Sequence, residues 1–305
     1  MWNAATLAVV LFCALTGVAS ASPEAPVLAK YYAWFDENSW GPGKNSDQPI
    51  LPYRSADRAT IERQVAQAQA AGIDGFELNW WGPDNPTDTN LKTLLDVAKK
   101  RNFKVTVDFD LNSPFITSPS EAAEALIYLR RYYADPAWFR IDGKPVVSFY
   151  GISKFSVDSW FAIHEASSAT GTIWIGEGDR FGYLQIFDGM HPYSVAWSGN
   201  PSAQLASYAI RTRAIPGTYW VATVMPGYDD TRLGRSNGFS VDRGNGNYYR
   251  SMWNGAIATR PAFIVITSWN EWPEGSQIEP SMKYGDYFMQ ITRDMAGVFR
   301  ASRAG

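Results

Sequence analysis

Apolar residues along this chain fall into two alternating patterns. Short runs dense in apolar and aromatic residues give way to longer segments in which apolar positions recur every three or four residues. The dense runs at 27–34, 73–81, 103–111, 145–150, 172–176, 185–190, 218–225 and 262–268 read as eight strands. Helical spacing marks 55–71, 91–101, 118–133, 157–168, 201–213, 248–259 and 284–301. In the first of these, Ile61, Val65 and Ala68 share a face and Gly72 stops the helix. Ser118-Pro119-Ser120-Glu121 has the form of a capping box with proline at the first helical position. Eight strands alternating with helices in one series, with no linker or repeat between them, predict a single (β/α)8 TIM barrel in the α/β class. An open doubly wound sheet is the competing architecture, but no Gly-x-Gly-x-x-Gly follows the first strand.

A barrel of this kind carries its chemistry at the C-terminal ends of the strands. Those positions hold Trp34 and Asp36, then Glu77, Asn79, Trp80 and Trp81, then Asp108, Asp110 and Asn112. Tyr150, Glu177, Asp179, His191 and Tyr193 follow, then Tyr228, Asp229 and Asp230, and finally Glu271 and Glu274. The set is rich in acids and aromatics and poor in histidine and cysteine. It offers neither a His/Cys metal set nor a Ser-His-Asp arrangement, so no metal and no cofactor are expected. Neighbouring strand residues face opposite ways, so only one of Trp80 and Trp81 faces the site from a regular strand. Asp108 reads as a cap for loop N–H groups and Asp110 as the site acid. His191 is a site candidate; His164 reads as a helix-surface residue. Arg243-Gly244-Asn245-Gly246-Asn247 resembles a phosphate cradle without the Walker lysine, and reads as a turn and helix N-cap.

Composition narrows the partners. The net charge is −3, from 27 basic and 30 acidic residues, with no clustered Lys/Arg run, so neither nucleic acid nor an anionic membrane is expected as partner. Thirteen Trp, 16 Tyr and 16 Phe suit a protein that binds neutral rings as well as one with a large core. Residues 4–18 are apolar and Ala19-Ser20-Ala21 precedes Ser22-Pro23, the pattern of a secretory leader over 1–21 with the barrel domain at 22–305. A secreted or periplasmic protein is expected, free of the membrane after leader removal, and a monomer. Cys13, the single cysteine, lies in that leader, so no disulfide is expected.

The last strand ends in the richest cluster. Ala262-Phe263-Ile264-Val265-Ile266 leads into Thr267-Ser268-Trp269-Asn270-Glu271-Trp272-Pro273-Glu274-Gly275-Ser276-Gln277-Ile278-Glu279-Pro280. Two acids three residues apart among tryptophans suit glycosidic-bond cleavage, which usually takes a pair of carboxyl groups, with aromatic faces stacking on sugar rings. The competing reading is a surface helix whose first turn favours acids.

This block resembles the signature of glycoside hydrolase family 99, endo-acting α-mannosidases and α-mannanases on (β/α)8 barrels. Supporting segments are Lys30-Tyr31-Tyr32-Ala33-Trp34, Gly72 to Phe76 leading to Trp80-Trp81-Gly82, Asp142 to Val146, Met225 to Asp230, and Tyr248 to Trp253. The resemblance implies retention of configuration without a carboxylate nucleophile. One acid of a Glu-Trp-x-Glu unit deprotonates the mannose 2-hydroxyl, which attacks C1; the other protonates the leaving oxygen and then activates water. Matched residue by residue, Glu271 is the base and Glu274 the general acid/base. Tyr32, Trp34, Trp80, Trp81, Asp110, His191, Tyr193, Tyr228, Asp229, Trp269 and Asn270 are the expected substrate-binding set, for an oligosaccharide or polysaccharide. Pro273 stands where the family usually has His, and Trp269 where Phe is common. A non-catalytic carbohydrate-binding barrel and a family-71-like α-1,3-glucanase are the alternatives.

Overall fold

The structure is a computed structural model that describes residues 25–303. The expected leader, Cys13 included, lies outside them. Eight parallel strands are β1 (Val27–Tyr31), β2 (Gly75–Trp80), β3 (Lys104–Asp110), β4 (Lys144–Tyr150), β5 (Ile173–Glu177), β6 (Gly189–His191), β7 (Tyr219–Val224) and β8 (Phe263–Ile266). Each pairs with its sequence neighbour, and β8 pairs back onto β1 with Val27 opposite Ile264, so the sheet closes into a barrel. Closure leaves no strand edge among the eight unpaired.

Among the described residues seven α-helices lie outside the strands: α1 (Arg58–Ala70), α2 (Pro86–Lys100), α3 (Pro119–Leu129), α4 (Val157–Ala166), α5 (Pro201–Arg213), α6 (Asn247–Ala258) and α7 (Tyr287–Ala301). Their starts follow local chemistry. Asn85 caps α2 through the Thr87 N–H with Pro86 behind it, and the Ser118/Glu121 box closes reciprocally at the head of α3. One expectation fails here: no α-helix follows β5. A short 3₁₀ turn, Phe181–Gln185, makes that crossover, because only eleven residues separate Glu177 from Gly189.

Alternation along the strands sorts two cores. Outward residues such as Phe76, Leu78, Trp80, Val107, Phe109 and Phe149 pack under the helices. Inward residues Leu28, Val146, Ile173, Ile175, Val221, Phe263 and Val265, joined by Phe139, fill the lower barrel. Above that apolar plug the inward positions turn polar: Lys30, Glu77, Thr106, Asp108, Ser148, His191 and Thr223 are all buried. Gly189 is needed at the waist, since a Cβ there would collide with the Tyr219 carbonyl oxygen.

Candidate active site

The polar layer is organised around Lys30, whose Nζ lies 2.7 Å from Asp108 Oδ2 and 3.2 Å from Glu77 Oε2. Ser148 donates to the other Glu77 oxygen at 2.7 Å. Burial alone would lower the lysine, but Asp108 and Glu77 outweigh it and raise its pKa, so the ammonium persists inside the barrel. Beside it His191 is pushed well below its ordinary value by burial and by Lys30. Its Nδ1 donates to the Pro192 carbonyl at 3.1 Å, and Nε2 is buried without a partner. The imidazole lies buried beneath the cleft and is not among the residues that line it.

Above the layer opens a cleft of about 210 Å³. Asp108 and Asp110 of β3, Asn79 of β2, Tyr150 of β4 and Tyr193 after β6 line one side. Tyr32 and Trp34 after β1, Glu271 and Glu274 after β8, and Arg235 from the loop between β7 and α6 complete it. Asp110 is anchored by the Asn112 N–H at 2.9 Å and by Asn79 at 3.3 Å, and burial raises its pKa. Asp108 therefore ligates the buried lysine and faces the cleft; it does not cap loop N–H groups as expected. Burial, with Asp108 adding to it, pushes Glu177 on β5 up to about 7.

The two glutamates sit in a loop folded back on itself. The Glu271 N–H donates to Ser268 Oγ at 2.6 Å, the Ser268 N–H to the Ser276 carbonyl at 2.9 Å, and the Gly275 N–H to the Trp272 carbonyl at 3.1 Å. A surface helix is thereby excluded. Glu271 is 6% and Glu274 8% exposed, yet their surroundings differ. Glu274 Oε2 accepts from the Tyr193 hydroxyl at 2.8 Å and Oε1 from Arg235 Nη1 at 2.8 Å. Glu271 Oε2 is buried with no hydrogen-bond partner. Burial and the charge of Glu274 push the Glu271 carboxyl well above the usual range, with Arg235 opposing only in part. Two donors thus serve the Glu274 carboxyl, whereas no protein group serves Glu271 Oε2.

Asn270 is buried and does not reach the cleft. It clamps Tyr32, accepting from its N–H and donating to its carbonyl, both at 2.8 Å, and donates to the Tyr53 hydroxyl at 3.1 Å. Tyr53 in turn donates to Glu279 Oε2 at 2.9 Å, and Gln64 to Oε1 at 2.7 Å. Burial pushes Glu279 up to about 7.

An aromatic file leads out of the cleft: Tyr32 to Trp34 with ring centres 4.8 Å apart, Trp34 to Trp81 at 5.1 Å, and Trp81 to the exposed Phe115 at 6.4 Å. Trp80, by contrast, points under the helices, fully buried, with its Nε1 3.3 Å from Asp88. Trp269 is likewise core, packed on Phe76 with ring centres 5.4 Å apart. Tyr228 and Asp229 lie behind Glu274 and line a separate polar pocket with Arg243 and Gln277; the Tyr228 ring stacks on Phe239 at 4.7 Å. His164 is half-buried against Trp174 with ring centres 4.9 Å apart, not free on the helix surface. The turn at 244–246 does end in Gly246 as N-cap of α6. Arg235, Tyr53 and Lys30 were not foreseen as site residues. Lys30 had a signal, a lone charge at an inward position of an otherwise apolar strand.

Among the described residues no group of three or more His, Cys, Asp or Glu side chains could hold a metal ion, and no helix is long and apolar enough to cross a membrane.

The sequence matches glycosyl hydrolase family 99 over residues 46–289, and the chain belongs to that family. It is 27% identical over 297 residues to a glycoprotein endo-α-1,2-mannosidase of Rattus norvegicus, an alignment covering 82% of this chain and 63% of that protein. The chain thus spans less than two thirds of that relative. It is similar to the solved family 99 endo-α-mannosidase of Bacteroides thetaiotaomicron, with a TM-score of 0.79 and 27% identity over 92% of this chain and 98% of that one. A mutanase of Penicillium rubens is 24% identical over 230 residues, covering 72% of this chain and 49% of that protein.

Proposed function

We propose that this chain is an endo-acting, retaining glycoside hydrolase that cleaves internal α-mannosidic linkages of the α-1,2 type, working outside the cytoplasm after removal of its leader. The observation that carries the reading is the pair Glu271 and Glu274. Both leave β8 into one cleft, in different electrostatic settings, with Tyr32, Tyr150, Tyr193 and Trp34 around them. Binding a neutral glycan needs no such pair.

In the proposed reaction Glu271 takes the proton of the 2-hydroxyl as O2 bonds to C1 and the C1–glycosidic oxygen bond breaks. Glu274 gives its proton to the departing oxygen. Water then opens the 1,2-anhydro sugar at C1, losing a proton to Glu274, while Glu271 returns its proton to O2. The active pair therefore carries one proton, and it must sit on Glu274. Burial and the neighbouring Glu274 favour the neutral form of Glu271 before substrate binds. Substrate reverses the preference: a 2-hydroxyl donating to Glu271 favours its charged form, and a glycosidic oxygen accepting from Glu274 favours its neutral form. A raised pKa also makes Glu271 a stronger base towards a hydroxyl than an ordinary carboxylate.

Reducing-sugar release from α-mannan, α-1,3-glucan and dextran tests the reading. Release from α-mannan alone supports it. The mutanase relative favours a second reading as a glucanase, which release from α-1,3-glucan would establish, and binding without release would leave only a carbohydrate-binding barrel.

A further inference from the structure

Arg235 is the unexpected member of the site. It comes from the loop between β7 and α6, its side chain is 46% exposed, and one nitrogen, Nη1, does all its work. That nitrogen lies 2.8 Å from Glu274 Oε1, 3.0 Å from Asp230 Oδ2 and 3.1 Å from the Tyr228 hydroxyl. Nη1 has two hydrogens and three acceptors compete for them. Giving up Glu274 therefore leaves both hydrogens served, by Asp230 and Tyr228. Asp230 is a fixed anchor for the guanidinium: its other oxygen accepts from the Phe239 N–H at 2.8 Å, and it also accepts from the Tyr228 hydroxyl at 3.2 Å. Glu274 cannot act as an acid while it is an ion-paired carboxylate.

We propose that Arg235 is a substrate-released latch: it holds Glu274 Oε1 in the free enzyme and withdraws onto Asp230 and Tyr228 when the leaving-group sugar enters. Arg235 is thus a positioning residue that sets where the one shared proton sits. With the latch on, the proton rests on Glu271; with it off, the proton passes to Glu274, and nothing else enters or leaves the pair. The other groups facing Glu274 do not duplicate this effect. Glu271 and Asp230 are acids, and Tyr193, Tyr32, Tyr150 and Tyr228 are all held in the neutral form, burial foremost. The nearby cation Lys30 is committed to Glu77 and Asp108. The latch rests on the reading of Glu274 as general acid, and it makes a claim that reading does not: the free enzyme and the complex differ in how tightly the pair keeps its last proton.

The test compares pH profiles on an α-mannan oligosaccharide with a poor leaving group, so that bond cleavage limits the rate. The alkaline limb of kcat/KM reports the free enzyme and that of kcat the complex. For the wild type the kcat limb should lie about 1–3 pH units above the kcat/KM limb, the usual effect of a neighbouring guanidinium. In Arg235→Met the kcat/KM limb should rise to meet the kcat limb, and in Arg235→Lys, which keeps the charge, the gap should persist. Coincident limbs in the active wild type overturn the latch. So does Arg235→Met moving both limbs equally, because the arginine then stays on Glu274 throughout, or moving neither, because its role is then only structural. A second measurement needs no variant that lacks the arginine: carboxyl ¹³C titration of Glu274 in the wild type, assigned by its loss in Glu274→Gln, with and without a thio-linked mannobiose. An upward shift on binding supports the latch and an unchanged titration overturns it. A wild type inactive on every glycan would instead sink the functional reading itself.

Discussion

Tyr193 donates its hydroxyl proton to Glu274 Oε2 at 2.8 Å, so the hydroxyl of Tyr32, 3.1 Å away, donates to Tyr193 in turn. The Glu274 carboxyl thus ends a relay of two buried phenols held by burial in the neutral, donating form. A hydrogen bond to a charged group is worth roughly 1.5–3 kcal/mol, and water entering the cleft can replace part of it. Tyr193→Phe should therefore cut kcat/KM by about 10–100-fold while the melting temperature holds, because the ring keeps its contact with Tyr150 at 5.4 Å. An unchanged kcat/KM would show that the relay is scaffold only.

The two glutamates should separate by leaving group. Glu274→Gln should slow cleavage of a natural α-mannan linkage by about 10²–10⁴-fold, the usual contribution of general acid catalysis. An aryl glycoside whose phenol leaves without protonation should restore much of that rate. Glu271→Gln should be slow on both substrates, because the base acts on the 2-hydroxyl whatever the leaving group. Equal rescue of both variants would refute the division of roles.

Adjacent tryptophans give a paired test of the strand geometry. Trp81 belongs to the aromatic file, so Trp81→Ala should weaken glycan binding by about 0.5–1.5 kcal/mol or more and leave the fold intact. Trp80 fills the space under α3, near the Phe109 and Tyr128 rings. Trp80→Ala should cost about 3–5 kcal/mol of stability, read from denaturant unfolding, and affect binding little. The reverse pattern would mean the β2 register is wrong.

That pair also shows what the sequence could tell. Period-2 alternation says that Trp80 and Trp81 diverge, but not which one faces inward; the register against Phe76 and Glu77 decides it. Strands, most helices, the capping box at Ser118 and both acids after β8 are local patterns, and they were legible. Whether His191 or Asn270 touches substrate is not local. Burial, with Lys30 of the distant first strand adding to it, drives His191 neutral, and Asn270 turns away to clamp the Tyr32 backbone. Tyr228 and Asp229 follow a barrel strand as a site residue should, yet the Asp229 N–H bonds the back of Glu274, at its carbonyl, at 2.8 Å. Arg235 lies in a long loop without a motif, where only the folded chain brings it to Glu274.

Glu279 should make the fold lose stability as pH rises. Its pKa in the fold is about 7 against an ordinary 4.5, because burial penalises the charged form. An acid raised in this way adds stability that is fully present below about pH 4.5 and is lost as pH climbs through about 7. At 1.36 kcal/mol per pH unit the loss approaches ~3 kcal/mol. Glu279→Gln should flatten the melting profile between pH 5 and 8 (roughly the window of that titration) relative to the wild type. Parallel profiles for the two proteins would place the titration elsewhere.

The nucleophile is the sharpest point to test. In an ordinary retaining glycosidase the two carboxyls flank the bond about 5–5.5 Å apart and one attacks C1 to form an ester. Here both acids leave one strand, and Glu271 is buried with an oxygen that no protein group serves. That suits a base awaiting a hydroxyl proton. A mannoside carrying hydrogen or fluorine in place of the 2-hydroxyl removes the proposed nucleophile while leaving the rest of the sugar to be bound. It should bind the wild-type protein, remain uncleaved, and leave the intact mass unchanged, with or without an activated leaving group. An ordinary carboxylate nucleophile predicts the opposite for the fluoro sugar with an activated leaving group: fast first-step release and a persistent glycosyl ester. An adduct mapped to Glu271 by mass spectrometry of the intact and digested protein would therefore replace the 2-hydroxyl mechanism with direct attack by the carboxylate.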